Sequence, residues 1–331
     1  MCIKSYAYAR AGLLGNPSDV YNGKTISISV RNFYACVILL QTPEFKIESG
    51  IQDLEVYNSV SELIKQINLY GYYGGVRLIK SAIKTFFNYC DSEGIELEAK
   101  NFTISYSSNI PRQVGLGGSS AIVTATIKAL KEFYNVEIPV EILPSIILDA
   151  ELKELGINAG LQDRVIQVFE GCMYMDFNTE VMKNRKYGEY ERIDLSNLPP
   201  LYIAYKEGLS KVSGNVFNNV RFRFERRDPF IINVLCNIAE LAEKGKKAIA
   251  ERNFDYLYEL MNENFELRRK IINIDEGNFE LVKIARSCGA SAKFAGSGGS
   301  IIGIYKDEDM FNRLTKELGK IDANVIKPEI E

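Results

Sequence analysis

Apolar and polar residues follow two different periods along this chain. β-Branched and other apolar residues alternate on both sides of a Gly/Asn/Pro/Ser/Asp loop in SYAYARAGLLGNPSDVYNGKTISISV (5–30), which predicts strand, loop and strand. Further predicted strands are RNFYACVILLQTP (31–43), a shorter pair in FKIESGIQDLEVYN (45–58), LEAKNFTISYSSNIP (97–111), GCMYMDF (171–177), LYIAY (201–205), IIGIY (301–305) and ANVIKPEI (323–330).

Other segments carry apolar residues at helical spacing. Residues 59–94 predict two helices with a break at Gly71–Gly75, and residues from Ser119 to Asn135 predict one helix. The remaining predicted helices are one ending near Gly156, a helical start after it, and helices around 215–225, 230–251, 254–273, 277–287 and 309–320. Strands and helices mix without regular βαβ alternation, so the pattern predicts an α+β fold in both halves, with NLPP (197–200) as the best boundary.

The length and composition predict two globular domains. The chain has 331 residues, of which 46% are hydrophobic and 25% are charged. The net charge of −3 gives no general attraction to nucleic acid or anionic membranes, and no apolar run approaches the ~20 residues of a membrane helix. The six cysteines lie far apart and the N-terminus lacks a signal-like apolar stretch, so we expect a cytoplasmic protein with reduced thiols.

The chain contains no histidine. This absence excludes Ser-His-Asp hydrolysis, Cys-His proteolysis, His-based zinc sites and imidazole acid–base catalysis. Any catalysis must therefore use carboxylates, lysine, arginine, tyrosine, hydroxyls, backbone amides or a hard metal ion.

The segment PRQVGLGGSSAIVTATIKAL (111–130) places three glycines and two serines at the start of a predicted helix. Glycine lets backbone amides approach a ligand, and free N–H groups with the helix dipole favour an anion such as phosphate. The segment matches neither the GxxxxGK[ST] loop nor GxGxxG, and taken alone a plain helix start explains it equally well. A second glycine-rich loop, FAGSGGSIIG (294–303), precedes an apolar strand, and the two loops together favour anion binding.

Two carboxylates, Glu151 and Asp163, flank a glycine loop in DAELKELGINAGLQDRV (149–165). Mg²⁺ takes few protein ligands and keeps phosphate oxygens and waters, so one carboxylate and one hydroxyl would suffice to hold it. The alternative is that both carboxylates are solvated charges of a helix and a loop.

Three motifs, in order, resemble those of the GHMP kinases, the family of galactokinase, homoserine kinase, mevalonate kinase and phosphomevalonate kinase. PRQVGLGGSSA (111–121) is similar to the second family motif, RAGLLGNPSDVYNGK (10–24) to the first, and KFAGSGGSIIGIY (293–305) to the third. Within the family, GLLGNPSDVY, YYGGVRL and GLGGSSAIV most resemble the glucuronokinase-type sugar 1-kinases. These members share the replacement of the common Gly-Glu-His by Gly15-Asn16-Pro17.

The resemblance implies a two-domain α+β GHMP kinase fold. Residues 1–198 would form a ribosomal-S5-like domain with the ATP-phosphate loop, and residues 199–331 a ferredoxin-like domain that completes the substrate cleft. ATP and Mg²⁺ are the implied cofactors and a small-molecule sugar the implied partner, with neither nucleic acid nor membrane. The expected reaction is phosphorylation of a sugar hydroxyl, first of all the anomeric one of a uronic acid such as glucuronate. The alternatives are a kinase of heptose phosphate, galactose, fucose or a mevalonate-type substrate, or a non-catalytic ligand-binding member.

The family's functional positions map onto matching residues of this sequence. Mg²⁺ would bind Ser120 and Glu151, and Asp163 would face the substrate hydroxyl as base or orienter, with Arg10 beside it. The ATP phosphates would be bound by Pro111, Gly115, Leu116, Gly117, Gly118, Ser119, Ser120 and Ala121. The sugar would be contacted by Asp19 and by Gly296, Ser297 and Gly298 of the third motif.

Aromatic and basic residues supply further substrate-binding candidates. Tyr72 and Tyr73, beside two glycines, would stack on or hydrogen-bond a sugar, or else pack against a helix break. NNVRFRFERRDPF (218–230) places arginines among phenylalanines, which fits an exposed helix face better than nucleic-acid binding. A third interpretation is that Arg223 or Lys211 binds a substrate carboxylate.

Overall fold

The predicted elements can be compared with a computed structural model, which describes residues 1–48, 54–72, 76–209 and 214–331, with the backbone alone in 214–218. The strands are β1 (Cys2–Leu14), β2 (Lys24–Gln41), β3 (Phe45–Glu48), β4 (Leu54–Tyr57), β5 (Phe102–Ser108), β6 (Cys172–Asp176), β7 (Glu189–Arg192), β8 (Leu201–Tyr205), β9 (Lys293–Phe294), β10 (Ser300–Ile304) and β11 (Asn324–Ile326). The helices are α1 (Val60–Tyr70), α2 (Arg77–Ser92), α3 (Gly118–Phe133), α4 (Leu143–Leu152), α5 (Gln162–Phe169), α6 (Thr179–Arg185), α7 (Gly214–Glu225), α8 (Pro229–Ala250), α9 (Phe254–Ile271), α10 (Glu276–Ser287) and α11 (Glu308–Gly319).

The chain divides into two units that do not follow the order of the sequence. Unit 1 contains residues 1–9, 33–110 and 118–168, and unit 2 contains residues 10–32, 111–117 and 169–331. The strands β1 and β2 therefore contribute residues to both units, as does the second motif, of which residues 111–117 lie in unit 2 and residues 118–121 in unit 1. The domain boundary between residues 198 and 199 stays a prediction.

Unit 1 pairs its strands in the order β4-β3-β5-β2, and β2 runs antiparallel to β5. In β2, Val37 and Leu39 are fully buried, whereas Ile38 and Leu40 are exposed. Successive side chains of a strand point to opposite faces, so the alternation seen in the sequence turns one face of β2 to the core.

The helices of unit 1 pack around α2, which contacts both α3 and α4. Phe102 of β5 meets Phe133 of α3 edge to face, with 5.3 Å between the ring centroids. Phe86 of α2 stacks on Tyr134, which directly follows α3, at 6.0 Å. This aromatic cluster anchors the C-terminal end of α3 and thereby orients the helix whose first turn carries the two serines of the second motif.

Unit 2 contains two sets of paired strands. The first part of β2 pairs with β6, and β6 pairs with β7. A second, antiparallel sheet has the order β11-β8-β10-β9, and its strands follow one another as β-α-β-β-α-β with helices between β8 and β9 and between β10 and β11. This is the ferredoxin-like arrangement that the resemblance implies. The helices α8 and α9 pack against each other, as do α10 and α11.

The structure adds α6, β7 and the two-residue strand β9, which the pattern of the sequence does not predict. No residue of α6 is buried, so this helix lacks the apolar stripe on which a prediction from periodicity depends. It is started instead by the Asn178 side chain, which accepts a hydrogen bond from the Glu180 amide.

Candidate active site

The glycine-rich turn at residues 111–117 lies in unit 2, against the loop that precedes β10. Gly115 has a φ of +72°, and a Cβ built on it would lie 2.7 Å from the carbonyl oxygen of Gly298 and 2.8 Å from the amide nitrogen of Ser297. Only glycine satisfies both the left-handed backbone and this close approach. The Ser300 hydroxyl also donates to the Val114 carbonyl at 2.6 Å. The second and third motifs therefore pack backbone against backbone.

The first motif joins the other two through its own backbone and through Arg10. The Arg10 guanidinium donates to the Gly115 carbonyl at 2.5 Å, and the Arg10 amide donates to the Leu116 carbonyl at 3.0 Å. The Gly12 amide donates to the Ala295 carbonyl at 2.7 Å. Unit 2 thus brings together three segments that are far apart in the sequence, and Arg10 lies where they meet.

The continuation of the second motif forms the first turn of α3 in unit 1. Its two serines are not equivalent, because Ser119 is exposed whereas Ser120 and Ala121 are buried. The first N–H groups of an α-helix lack partners within the helix, and the positive end of the dipole of this 16-residue helix lies at the same turn, so the turn favours an anion. The arrangement supports phosphate binding at the start of α3.

The two predicted carboxylates are brought together in unit 1 by an arginine. Glu151, near the end of α4, is only 1% exposed, and its Oε2 accepts a hydrogen bond from the Arg164 guanidinium. Asp163 lies in the first turn of α5, with its Oδ2 3.7 Å from Arg164 Nη1 and its side chain 18% exposed. The same Nη1 donates to the Gly160 carbonyl at 2.9 Å. The buried Arg164 guanidinium therefore lies close to both carboxylates. Asp163 is the more accessible of the two.

Among the described residues of unit 2, two cations besides Arg10 are buried, and neither was a predicted site residue. Arg268 of α9 donates to the Gly296 carbonyl at 2.8 Å, and its guanidinium lies 5.1 Å from the ring centroid of Phe294. Burial lowers the pKa of Arg268 to about 10, with the Asp19 carboxylate raising it and Arg10 lowering it. Lys293 of β9 is equally buried, and burial with the two guanidiniums lowers its pKa well below the usual value. The third motif therefore lies within a concentration of positive charge.

Asp19 lies in a short 3-10 turn, Ser18–Tyr21, that follows the first motif's loop. Its carboxylate acts on Arg268 and also on the neighbouring Tyr21, whose pKa rises to about 12 mainly through burial and secondly through Asp19. Asp19 is partly exposed. The Asp19 carboxylate is therefore partly accessible and interacts electrostatically with a buried guanidinium.

Tyr72, a predicted sugar contact, has its hydroxyl engaged within unit 1. It donates to Glu154 Oε2 at 2.7 Å, and the Lys84 ammonium lies 2.8 Å from the same oxygen. Burial and the Glu154 carboxylate raise the Tyr72 pKa, so the hydroxyl stays protonated. This geometry favours packing at the helix break, while the sugar contact stays a prediction. Tyr73 lies outside the described residues.

Arg223, a predicted partner of a substrate carboxylate, is paired with a carboxylate of the chain. Its Nε and Nη2 lie 2.8 and 2.7 Å from Asp228 Oδ2, where Asp228 caps the N-terminus of α8. Arg221 similarly pairs with Glu225, four residues further along α7, at 2.9 Å. The contact with a substrate stays a prediction, and Lys211 lies outside the described residues.

A helix start suited to an anion, two carboxylates near one arginine and three joined glycine-rich segments fit an enzyme that transfers phosphoryl groups. The family description "GHMP kinases N terminal domain" matches residues 77–171, and "GHMP kinases C terminal" matches residues 246–321. The solved structure of the Lin0012 protein from Listeria innocua superposes on this chain with a TM-score of 0.84 at 17% sequence identity. The match covers 100% of this chain and 98% of the Lin0012 chain.

Two curated plant proteins are more similar in sequence. Probable glucuronokinase 2 of Arabidopsis thaliana is 45% identical over 97% of this chain and 89% of its own length. Glucuronokinase 1 of the same plant is 45% identical over 91% of this chain and 84% of its own length. The chain belongs to the GHMP kinase family. It is a kinase that uses ATP to phosphorylate a hydroxyl acceptor, and the two-domain fold predicted from the motifs is confirmed.

Proposed function

We propose that this kinase transfers the γ-phosphoryl group of ATP to the anomeric hydroxyl of glucuronate. The observation that carries the proposal is the 45% identity to two glucuronokinases over nearly the whole chain. The first motif supports it, because the Gly15-Asn16-Pro17 sequence of the glucuronokinase-type members occurs here beside Asp19. A cytoplasmic location stays a prediction, and among the described residues no helix combines the length and apolar character needed to cross a membrane.

Ser120 and Glu151 are the residues that we assign to Mg²⁺. Both are buried oxygen donors of unit 1, and oxygen ligands are those that Mg²⁺ prefers. Within the described ranges no group of three or more His, Cys, Asp or Glu side chains could hold a metal ion. Mg²⁺ commonly takes few protein ligands and keeps waters and phosphate oxygens. The donor set therefore fits. When bound, Mg²⁺ would neutralise charge on the β- and γ-phosphate oxygens.

The residues near the assigned Mg²⁺ ligands have different roles in phosphoryl transfer. The amides of the glycine-rich turn and of the first turn of α3 bind and orient the phosphates, because the glycines leave room for close approach and the N–H groups attract an anion. Asp163 orients the sugar hydroxyl and accepts its proton. Arg164 supplies one positive charge that lies close to both carboxylates, Glu151 and Asp163.

Residues of unit 2 supply positive charge and sugar contacts. Arg10, held by the Gly115 carbonyl, stabilises negative charge on the transferred group. Asp19 binds sugar hydroxyls, and the loop Gly296-Ser297-Gly298 approaches the substrate with its backbone. These roles follow the family positions named above and are part of the proposal.

The metal assignment predicts the outcome of replacing Glu151 with glutamine. Loss of the carboxylate charge should raise the Mg²⁺ concentration for half-maximal activity at least about tenfold, a loss of about 1.4 kcal/mol in binding free energy. The matched control is Glu154→Gln, which removes a nearby carboxylate that Tyr72 and Lys84 bind. A Mg²⁺ titration of Glu151→Gln that superposes on the wild-type curve would remove Glu151 from the metal site.

A substrate screen tests the function itself. Purified enzyme with Mg²⁺ and ATP is assayed for ADP release with glucuronate, galacturonate, glucose, galactose, a heptose phosphate and mevalonate. We expect the highest kcat/KM with glucuronate and a product whose ³¹P signal couples to the anomeric proton. A higher kcat/KM with any other acceptor, or phosphorylation at another carbon, would reject the proposal.

A further inference from the structure

Lys293 is a buried lysine whose ammonium is surrounded by oxygen atoms of unit 2. Only 2% of the residue is exposed. Its Nζ donates to the Gly12 carbonyl at 2.6 Å, to Asn16 Oδ1 at 2.6 Å and to the Phe294 carbonyl at 2.8 Å. No step of the proposed reaction uses this residue, and its burial keeps it from a substrate.

The three oxygens belong to two segments that carry proposed site residues. Gly12 and Asn16 lie in the first-motif turn, residues 10–19, between Arg10 and Asp19. Phe294 begins the third-motif loop, residues 294–299, which contains Gly296-Ser297-Gly298. We propose that Lys293 is a positioning residue whose ammonium ties the first-motif turn to the third-motif loop and so sets the places of Arg10 and Asp19 for the sugar kinase reaction proposed above.

The geometry requires the charged form of Lys293. Carbonyl and amide oxygens only accept hydrogen bonds, so three such partners need three N–H donors. An ammonium group has three, whereas a neutral amine has two. The orientation of the Asn16 side-chain amide agrees with a charged Lys293. Asn16 Nδ2 donates to the Phe294 carbonyl at 3.4 Å, so its Oδ1 is the atom that faces Lys293 and accepts a hydrogen bond from it. Loss of one proton therefore breaks one of the three bonds.

The surroundings of Lys293 make this proton easier to lose than that of an ordinary lysine. Burial lowers the pKa most, and the guanidiniums of Arg268 on α9 and Arg10 on β1 lower it further. Asp19 is the acidic group of this cluster, and it acts on Arg268. We therefore expect the connection between the two segments to weaken at a pH below the usual titration range of lysine.

The far side of the first-motif turn is held independently by α9. Asn264 accepts from the Gly15 amide at 2.8 Å and donates to the Asn16 carbonyl at 3.2 Å. Removing Lys293 should therefore loosen the turn locally without releasing it from the unit. This separates a positioning role from a general loss of folding.

Hydrogen–deuterium exchange measured by mass spectrometry tests the positioning role without any substrate. In Lys293→Met we expect amides of residues 10–19 and 294–299 to exchange at least about tenfold faster than in the wild type. The matched control is Lys80→Met, which removes another buried lysine, one that pairs with Glu55 at 2.7 Å in unit 1. This control should leave both segments unchanged.

Unchanged exchange in both segments of Lys293→Met would overturn the proposal, whatever the substrate of the enzyme turns out to be. If Lys293→Met does not fold, Asn16→Ala is measured in the same way, because it removes one acceptor and leaves Lys293 in place. Faster exchange in residues 10–19 of Asn16→Ala supports the proposal, and wild-type exchange overturns it. Failure of the glucuronate screen leaves this result intact, so the two proposals fail separately.

The pH dependence of kcat/KM tests the role of the ammonium. In the wild type we expect kcat/KM to fall at alkaline pH as Lys293 loses its proton, which gives the profile an alkaline limb. In Lys293→Met we expect kcat/KM to be about 100-fold lower and the alkaline limb to be absent. Asn16→Asp places a carboxylate beside the ammonium and should shift the alkaline limb upward by about one pH unit or more, because an opposite charge favours the protonated form. Lys80→Met should keep the wild-type limb. An Asn16→Asp profile with an unshifted limb would contradict the role of the ammonium.

Discussion

Replacing Asp163 with asparagine is expected to lower kcat with glucuronate by about 10³-fold, with little change in the dissociation constant of ATP. Asparagine keeps the size of the side chain but removes its charge and its ability to accept a proton from the sugar hydroxyl. The residue is suited to this role because it is accessible, at 18% exposure, while the neighbouring Arg164 is buried. The measurements are steady-state ADP release and ATP binding by calorimetry.

The control for this prediction is Asp149→Asn in the same unit. Asp149 lies on α4 and pairs with Lys153 at 2.8 Å on an exposed helix face, so its loss should leave kcat unchanged. Near-normal turnover by Asp163→Asn would remove this residue from the reaction. Loss of ATP binding together with turnover would instead indicate damage to the phosphate site.

Replacing Gly296 with alanine should have the second large effect. A Cβ at this position would overlap the Gly115 carbonyl oxygen and lie 2.9 Å from Arg10 Nη1. The Gly115 carbonyl is part of the backbone, and the Arg10 side chain is hydrogen-bonded to that carbonyl, so neither can easily move aside. The second and third motifs must therefore move apart. We expect kcat/KM to fall about 100-fold, because small displacements of positioning groups have effects of this size, and stability to fall by about 1–3 kcal/mol through overpacking.

Gly319→Ala is the matched control for the added methyl group. Gly319 ends α11 in the same unit, and a Cβ built there meets nothing within 4 Å. Its replacement should leave kcat/KM unchanged, since alanine is a better helix former than glycine. Wild-type kcat/KM in Gly296→Ala, at a reduced melting temperature, would show that the close approach of the two motifs serves folding alone.

Most of the strands and helices could be predicted from the local periodicity of apolar residues. The helices α1 and α2 end and begin on either side of the predicted break at Gly71–Gly75, of which residues 73–75 lie outside the described residues, and α3 begins one residue before the predicted Ser119. These segments were predictable because each buries one face, and burial of one face imposes a period of two or of 3.6 residues. The helix α6 was missed because it buries nothing.

The candidate site was predictable only where a motif marked it. Arg10, Asp163 and the glycine-rich turn stood in recognisable segments, and the structure joins the three motifs through backbone contacts. Arg164 was missed although it directly follows Asp163, and Lys293 although it begins the third motif. Arg268 offered no signal, because an arginine near the end of a helix is usually a solvated charge.

The sequence by itself determined the family and most of the strands and helices, because these depend on motif identity and on short-range period. Only the tertiary structure decided which charges are buried and what they hold. Arg164 lies 13 residues from Glu151, and Lys293 lies 277 residues from Asn16. Burial turns such cations from surface charges into groups that need specific oxygen partners, and those partners exist only once the chain has folded.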